Sequence, residues 1–291
     1  MPLSQLISVI IPFYSKESGR LISAVTSALN QTNCTVEVIV VDDCSPISAK
    51  SELKQINDPR VKIIRHEKNS NGGIARNTGV NNAQGQFIAF LDYDDVWYPN
   101  KLELQLACYY MTKGKVKNPV IYSQCKIISD GVEFVRPRRA INKNERVCDY
   151  IFTAKEIIQT SGIFLARDLA LQVRFDNLKR HQDYQFCLAL ENFGAEFFMI
   201  DTDTYSFIQV PKLNDYHFSK KWLENYSKFM TKKSQIAFKE LVILRSIVAH
   251  SKYFTAFNYA VHNSLAFKFF KVLIFRVAKL VLPEKIINYF R

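Results

Sequence analysis

The chain has 291 residues, 48% hydrophobic and 23% charged, enough apolar matter for a proper core and for one large domain or a domain with an appendage. Its six cysteines (Cys34, Cys44, Cys108, Cys125, Cys148, Cys187) lack paired metal-type spacing, and a chain this size needs no disulfide framework, so they read as reduced thiols of a cytoplasmic protein. The net charge of +12 is lopsided: Lys212 to Arg291 holds 15 Lys and Arg against 4 Asp and Glu, net +11, while residues 1–211 carry only +1. That asymmetry divides the chain into 1–211 and a basic appendage at 212–291 that meets an anionic surface, either lipid or nucleic acid.

In chain order, Met1 to Gln5 has no basic or long apolar stretch and reads as neither a signal nor a transit peptide. Leu6 to Ile11 is an apolar run ending at Pro12, the pattern of a buried strand. Ser18 to Gln31 has helical spacing, with Leu21, Val25, Ala28 and Leu29 on one face. Val36 to Val41 predicts a second strand ending in Asp42-Asp43, and Ala49 to Ile56 a helix stopped near Asp58-Pro59. Val61 to Ile64 predicts a third strand, Ile74 to Ala83 a helix closed by Gly85, and Phe87 to Leu91 a fourth strand ending in Asp92-Tyr93-Asp94-Asp95. A helix follows Pro99 to about Met111, then strands over Val120 to Val135 with a turn at Asp130-Gly131. Gly162 to Ala166 is a short strand, Tyr184 to Asn192 a helix stopped by Gly194, and Phe197 to Ile200 a last strand. From Lys212 onward the pattern is helical, and the chain carries no internal repeat or low-complexity tract.

Strand–helix alternation of this kind implies an α/β domain, a mostly parallel sheet with helices on both faces. Ligands of such sheets bind outside the carboxyl ends of the strands. Tyr14, Asp42, Asp43 and Asp92 to Asp95 all fall at those ends. Three carboxylates in four residues repel one another and are costly to gather without a cation, and a hard divalent ion takes one or two carboxylates together with phosphate oxygens. The strand-end cluster therefore suits a metal–diphosphate complex better than a capped turn.

Three further segments read either way when taken singly. The glycines of Asn69-Ser70-Asn71-Gly72-Gly73-Ile74-Ala75-Arg76-Asn77 could offer backbone N–H groups to an anion, with Arg76 one turn on, or form a capped helix start. Asp42-Asp43 could accept from a nucleobase N–H or cap a helix. Asp183, in His181-Gln182-Asp183, could deprotonate a hydroxyl or cap the helix that follows, and His181 alone reads as a surface or core histidine.

Together these residues resemble the inverting family 2 glycosyltransferases of GT-A fold, of the bacterial surface-polysaccharide and lipopolysaccharide type. The resemblance runs from about Ile7 to Ile200. It is carried by Ser8-Val9-Ile10-Ile11-Pro12-Phe13-Tyr14, Ser27-Ala28-Leu29-Asn30-Gln31-Thr32, Val40-Val41-Asp42-Asp43-Cys44-Ser45, Gly72-Gly73-Ile74-Ala75-Arg76-Asn77-Thr78-Gly79 and Phe90-Leu91-Asp92-Tyr93-Asp94-Asp95, in the family's order. It implies that Pro12, Tyr14 and Asp43 hold the nucleobase of a UDP-sugar and that Arg76 lies beside the nucleotide. It also implies that Asp92 faces the ribose or sugar with Tyr93 beside it, that Asp94 ligates Mn²⁺ or Mg²⁺, and that Asp95 orients the donor sugar. Asp183 matches the family's general base, with Gln182 where the family often has a first acid. Thr160-Ser161-Gly162, with His181, falls where the family shapes the sugar and acceptor pocket. The Tyr-Arg-x-His segment that many relatives carry after the last sheet strand is here Tyr205-Ser206-Phe207-Ile208-Gln209, and His217, in an expected loop, reads either as a substitute for its histidine or as a surface histidine.

Leu265 to Leu282 predicts one amphipathic helix. Lys268, Lys271, Arg276 and Lys279 lie on one side, and Phe267, Phe269, Phe270, Leu273, Ile274, Val277 and Val281 cover most of the rest. Four charges inside the segment argue against a span, and the pattern suits either an interfacial helix on anionic lipid or a helix packed on its own domain. The expected enzyme thus works on a lipid-linked glycan at the cytoplasmic face of the inner membrane. Nucleotidyl transfer ranks lower because only Lys16 and Arg20 lie near the first strand. A nucleic-acid-binding tail, with Tyr253, Phe254, Phe257 and Tyr259 stacking bases, leaves the acids without a task, so no nucleic-acid partner is expected.

Overall fold

The computed structural model describes residues 5–129, 131–209 and 213–281. The chain divides into two compact units, one of residues 1–147 and 156–210, the other of Cys148–Lys155 and Pro211–Arg291. The sequence gives no sign that Cys148–Lys155 leaves the first unit.

The first unit is built on one nine-stranded sheet. β1 (Leu6–Phe13), β2 (Thr35–Asp42), β3 (Val61–Arg65) and β4 (Phe87–Phe90) are parallel, in the order β3-β2-β1-β4. Seven of the eight β1 residues are buried, which explains the unbroken apolar run: a strand covered on both faces has no reason to alternate. β8 (Phe164–Ala166) pairs antiparallel with β4 and with β6 (Pro119–Ser129), and β6 runs parallel to β9 (Glu196–Ile208). β7 (Val132–Arg136) forms a hairpin on β6, and β5 (Asp95–Trp97) closes the far edge against β9. Gly131 takes positive φ in that hairpin, and Asp130, expected in the same turn, lies outside the described residues.

The helices of this unit are α1 (Arg20–Leu29), α2 (Ala49–Glu52), α3 (Asn71–Asn82), α4 (Lys101–Thr112), α5 (Arg167–Gln172) and α6 (Gln182–Asn192). Leu21, Val25 and Ala28 of α1 are buried, as its spacing requires, and join the core formed by Val9, Ile11, Val38 and Val40. Gly79 of α3 lies against Ile10 of β1, where a Cβ would stand 2.3 Å from Cγ2, so only glycine lets this helix reach the sheet. α2 is four residues long where eight were expected. β9 is far longer than Phe197 to Ile200, because its polar second half follows β6 through a register shift and then pairs with β5. The segment Tyr205 to Ile208 therefore lies inside a strand, with Tyr205 buried, and not beyond the sheet as expected.

Every strand in the second unit's described residues is absent; it is helical there. It comprises α7 (Tyr216–Tyr226), α8 (Lys232–Phe238), α9 (Arg245–Ala249), α10 (Tyr253–His262) and α11 (Ala266–Val281), with a π-helical segment at Lys239–Leu244. Trp222 stacks on Phe238 at 5.0 Å, and Phe152, from the inserted Asp149–Thr153 turn, meets Phe238 edge-on at 5.1 Å. Asp149 also accepts the Thr231 hydroxyl at 2.6 Å, so the inserted segment is a packed part of this unit. All six cysteines are free. Among the described residues no helix is long and apolar enough to cross a membrane.

Candidate active site

The parallel pairing aligns Phe13 with Asp42 and Ile10 with Phe90, so the residues that follow β1, β2 and β4 emerge on one edge of the sheet. That edge, where the order turns from β2-β1 to β1-β4, is where open α/β sheets bind ligands. Pro12 is buried within β1 and Tyr14 is exposed just beyond it.

Asp42 is spent on structure. It accepts from Ser45 N–H and Ala49 N–H, both at 2.8 Å, and pairs with Arg65, which fixes the turn after β2. Asp43 is held differently. Its Oδ1 meets His66 Nδ1 at 2.7 Å and accepts Ser70 N–H at 2.8 Å, and His66 Nε2 lies 2.9 Å from the Thr78 hydroxyl. Both anchors use one oxygen, leaving Oδ2 without a partner among the described residues. A carboxylate so fixed presents an acceptor to an N–H arriving at the strand ends. His66 escaped the sequence reading, because nothing in its spacing links it to Asp43.

The acids after β4 have three different surroundings. Asp92 is part-exposed and pairs with the Arg76 guanidinium; the Thr160 hydroxyl lies 3.2 Å from its Oδ1. Asp94 is also part-exposed, with Arg20 Nη1 3.9 Å away. Asp95 is buried: its Oδ2 accepts from the Ser161 hydroxyl at 2.5 Å and from Gln159 Nε2 at 3.3 Å. Burial, reinforced by the charge on Asp92, lifts the Asp95 carboxyl well above the usual carboxylate range. Its side chain turns inward and braces the turn at Thr160–Gly162. Tyr93 packs edge-on to Phe13 at 5.3 Å, and burial, with Asp94 second, raises its phenol.

Arg76 ties the site together. From the second turn of α3 it reaches Asp92 and Thr160 with Nη2 and donates from Nη1 to Gln182 Oε1 at 2.7 Å, while its guanidinium lies 5.4 Å from the Phe175 ring centre. Its buried Nε has no partner among the described residues. Gln182 donates in turn to Leu178 C=O at 2.6 Å. A glutamine in the place of an acid therefore works here as a hydrogen-bonded clamp on Arg76. The glycines before it sit in the first turn of α3, not in a loop ahead of it, and Gly73 is needed because a Cβ would come within 2.7 Å of Asp176 C=O.

Asp183 follows Gln182 in the first turn of α6. It accepts Tyr184 N–H at 2.9 Å, and burial pushes its carboxyl up to about 6, against the lowering pull of that hydrogen bond and of Arg76; Asp92 adds a smaller push upward. His181 stands at the N-cap position of α6 in a left-handed conformation and stacks on Tyr184, and burial, with Arg180, lowers its imidazole to about 4. A carboxyl raised to about 6 is suited to taking a proton near neutrality.

Ser161 and Gly162 are buried in the short turn that precedes β8. The Ser161 hydroxyl accepts Asp92 N–H at 3.0 Å, and its carbonyl accepts Trp97 Nε1–H at 3.0 Å. Gln105 donates to Gly162 C=O at 2.7 Å and accepts from Lys101 Nζ at 2.5 Å, which also lies 4.2 Å from the Trp97 ring. Lys101 is wholly buried, which depresses its pKa well below the usual lysine range. No sequence signal separates this supporting layer from an ordinary helix face. His217 belongs to the second unit, exposed in the first turn of α7 rather than in a loop, with its N–H on the Asp215 cap at 3.0 Å.

Among the described residues no three His, Cys, Asp or Glu side chains converge as a ready-made metal cage. A magnesium-type site does not require one, since that ion keeps waters and takes one or two carboxylates plus substrate phosphate. Asp94 and Asp92, hard oxygen donors open to solvent at the strand end, fit such a shared site; Asp95 does not.

The family model described as "Glycosyl transferase family 2" matches residues 8–151. The amylovoran biosynthesis glycosyltransferase AmsB of Erwinia amylovora is 31% identical over 245 residues, 80% of this chain and 81% of that protein. The Escherichia coli UDP-Glc:alpha-D-GlcNAc-diphosphoundecaprenol beta-1,3-glucosyltransferase WfgD is 34% identical over 137 residues, 46% of this chain and 52% of that protein. The crystal structure of S. aureus TarS 1-349 in complex with UDP-GlcNAc superposes with a TM-score of 0.57 at 19% identity, over 84% of this chain and 72% of that one, and shares the fold.

Proposed function

This chain belongs to glycosyl transferase family 2, and from that premise we propose that it moves a hexose or N-acetylhexosamine from a UDP-sugar to a hydroxyl of a lipid-linked glycan, with inversion at the anomeric carbon. The setting is surface-polysaccharide or lipopolysaccharide synthesis, at the cytoplasmic face of the inner membrane where such an acceptor lies. Two relatives support these choices: WfgD takes glucose from UDP-Glc to a diphosphoundecaprenol-linked sugar by name, and TarS has been crystallised with UDP-GlcNAc.

The observation that carries the proposal is the juxtaposition of Asp183, with its carboxyl near 6, and the Arg76–Asp92–Gln182 clamp at the strand ends. In the proposed reaction the acceptor oxygen attacks the anomeric carbon, the bond from that carbon to the diphosphate oxygen breaks, and Asp183 takes the hydroxyl proton. The nucleoside diphosphate leaves from the opposite face. Asp43, fixed through His66 and Ser70, accepts the uracil N–H, with Tyr14 and Pro12 beside the base. Arg76 holds Asp92 toward the ribose or sugar. Asp94 would hold Mn²⁺ or Mg²⁺, which when bound would neutralise charge on the leaving diphosphate.

A panel of UDP- and GDP-sugars with Mn²⁺ and a polyprenyl-diphosphate-linked sugar tests this, read as nucleotide release and as the anomeric configuration of the product. One UDP-sugar should be consumed and its product inverted. Retention of configuration, or release from GDP-sugars alone, would overturn the reading. Asp183→Ala should keep donor binding and lose transfer about 10²–10⁴-fold, the usual cost of removing a positioned base.

A further inference from the structure

The last two helices bear on the choice that the basic tail leaves open between packing on its own unit and meeting another surface, because α11 packs one side on its own unit and leaves another side open. Leu265 and Phe269 are buried, Phe269 with its ring 5.6 Å from Phe257 of α10, so one side of α11 is packed within the second unit. Arg276, expected on the polar side, is half-buried, and Lys279, Val277 and Val281 lie outside the residues whose side chains are described. A different side faces solvent. Phe267, Phe270 and Ile274 are 71%, 52% and 68% exposed, and their i, i+3, i+7 spacing puts them on one strip. Phe254 of α10 is 78% exposed, and Val261 is exposed on the same helix.

Single exposed hydrophobic residues are ordinary, but several large ones on two consecutive helices mark a contact surface. The charge decides the partner. Lys271 Nζ lies 5.0 Å from the Phe267 ring at the edge of the strip, and the region from Lys212 carries net +11. Two copies brought face to face would bring like charge together, whereas an anionic lipid surface neutralises it. Aromatic rings beside lysines also match the boundary between headgroups and acyl chains, where rings enter the apolar layer and ammonium groups stay with phosphate.

We propose that Phe267, Phe270 and Ile274 of α11, with Lys271 and with Phe254 and Val261 of α10, form a docking face for an anionic lipid bilayer. The face gives the membrane location in the proposed function a physical basis, yet it is tested without donor or acceptor. The full chain is sedimented with vesicles of phosphatidylcholine, with and without phosphatidylglycerol, at low and high salt. Wild type should pellet with anionic vesicles, with binding falling at least tenfold on neutral vesicles or in high salt. The triple variant F267S/F270S/I274S should lose pelleting while keeping its circular-dichroism melt, and Lys271→Glu, a milder change at an exposed position, should weaken it. Wild type left in the supernatant with anionic vesicles, or a folded triple variant that pellets like wild type, overturns the proposal. Self-association, or oligonucleotide binding, that depends on the three apolar residues without vesicle binding would assign the face to that partner instead. UDP binding, measured on the same samples, separates the two readings: its absence beside intact vesicle binding refutes the transferase reaction and leaves the docking face standing.

Discussion

Acidification should slow transfer through Asp183, and the surroundings of that side chain fix where. Burial raises its carboxyl from 3.8 to about 6, against lowering contributions from Tyr184 N–H and the Arg76 guanidinium and with a smaller upward push from Asp92. A general base works only when ionised, so activity is full above the raised pKa and lost as pH falls through it. With a pKa of about 6, roughly nine-tenths of the enzyme is competent at pH 7 and about one-tenth at pH 5, so kcat/KM should fall about tenfold between them. A carboxyl left at its ordinary value would lose less than about a tenth of its activity over that range. The assay is nucleotide release at subsaturating acceptor from pH 4.5 to 8, with the melting temperature followed in parallel to exclude unfolding. Two substitutions test the cause. Arg76→Met removes a cation that favours the ionised form and should move the acid limb upward. Asp92→Asn removes an anion that opposes it and should move the limb downward. A profile flat to pH 5, or a limb that neither substitution moves, would refute the assignment of Asp183 as the base.

Other consequences follow from groups that never touch substrate. His66→Ala should loosen Asp43, raising the KM for the donor several-fold while kcat changes little, as expected when ground-state binding is lost; an unchanged KM would detach Asp43 from donor recognition. Gly79→Ala should cost about 1–3 kcal/mol, since its Cβ would overlap Ile10, and a denaturant titration should show Ile10→Ala recovering part of that loss; strict additivity would contradict the contact.

Much of this architecture is legible in the sequence because its causes are local. The apolar runs at Leu6 to Ile11 and Val36 to Val41 announce strands covered on both faces, and the aspartates that follow the second and fourth strands mark the ligand edge. What escaped is set by pairing at a distance. β5 is three residues long and exists through its ladder to Tyr205–Phe207, more than a hundred residues away. The three acids after β4 look equivalent in sequence, yet Asp95 turns inward because Ser161, 66 residues on, supplies a hydroxyl in a buried turn. The same holds for Gln182 on Arg76, 106 residues apart: the position of the glutamine is visible in the sequence, but its role as a clamp is not. In the tail, periodicity identified the helix and not the side it buries, since its apolar residues exceed what one packed face can hold and tertiary contacts choose among them.

The central claim is that the open carboxylates after β4 share a divalent cation with a nucleotide diphosphate. Calorimetric titration of UDP into wild type and Asp94→Ala, each with and without Mn²⁺, tests it most directly. Saturable binding that requires Mn²⁺ in wild type and weakens at least tenfold in Asp94→Ala is the predicted result. UDP binding of equal strength in all four titrations, or none in any, would contradict it.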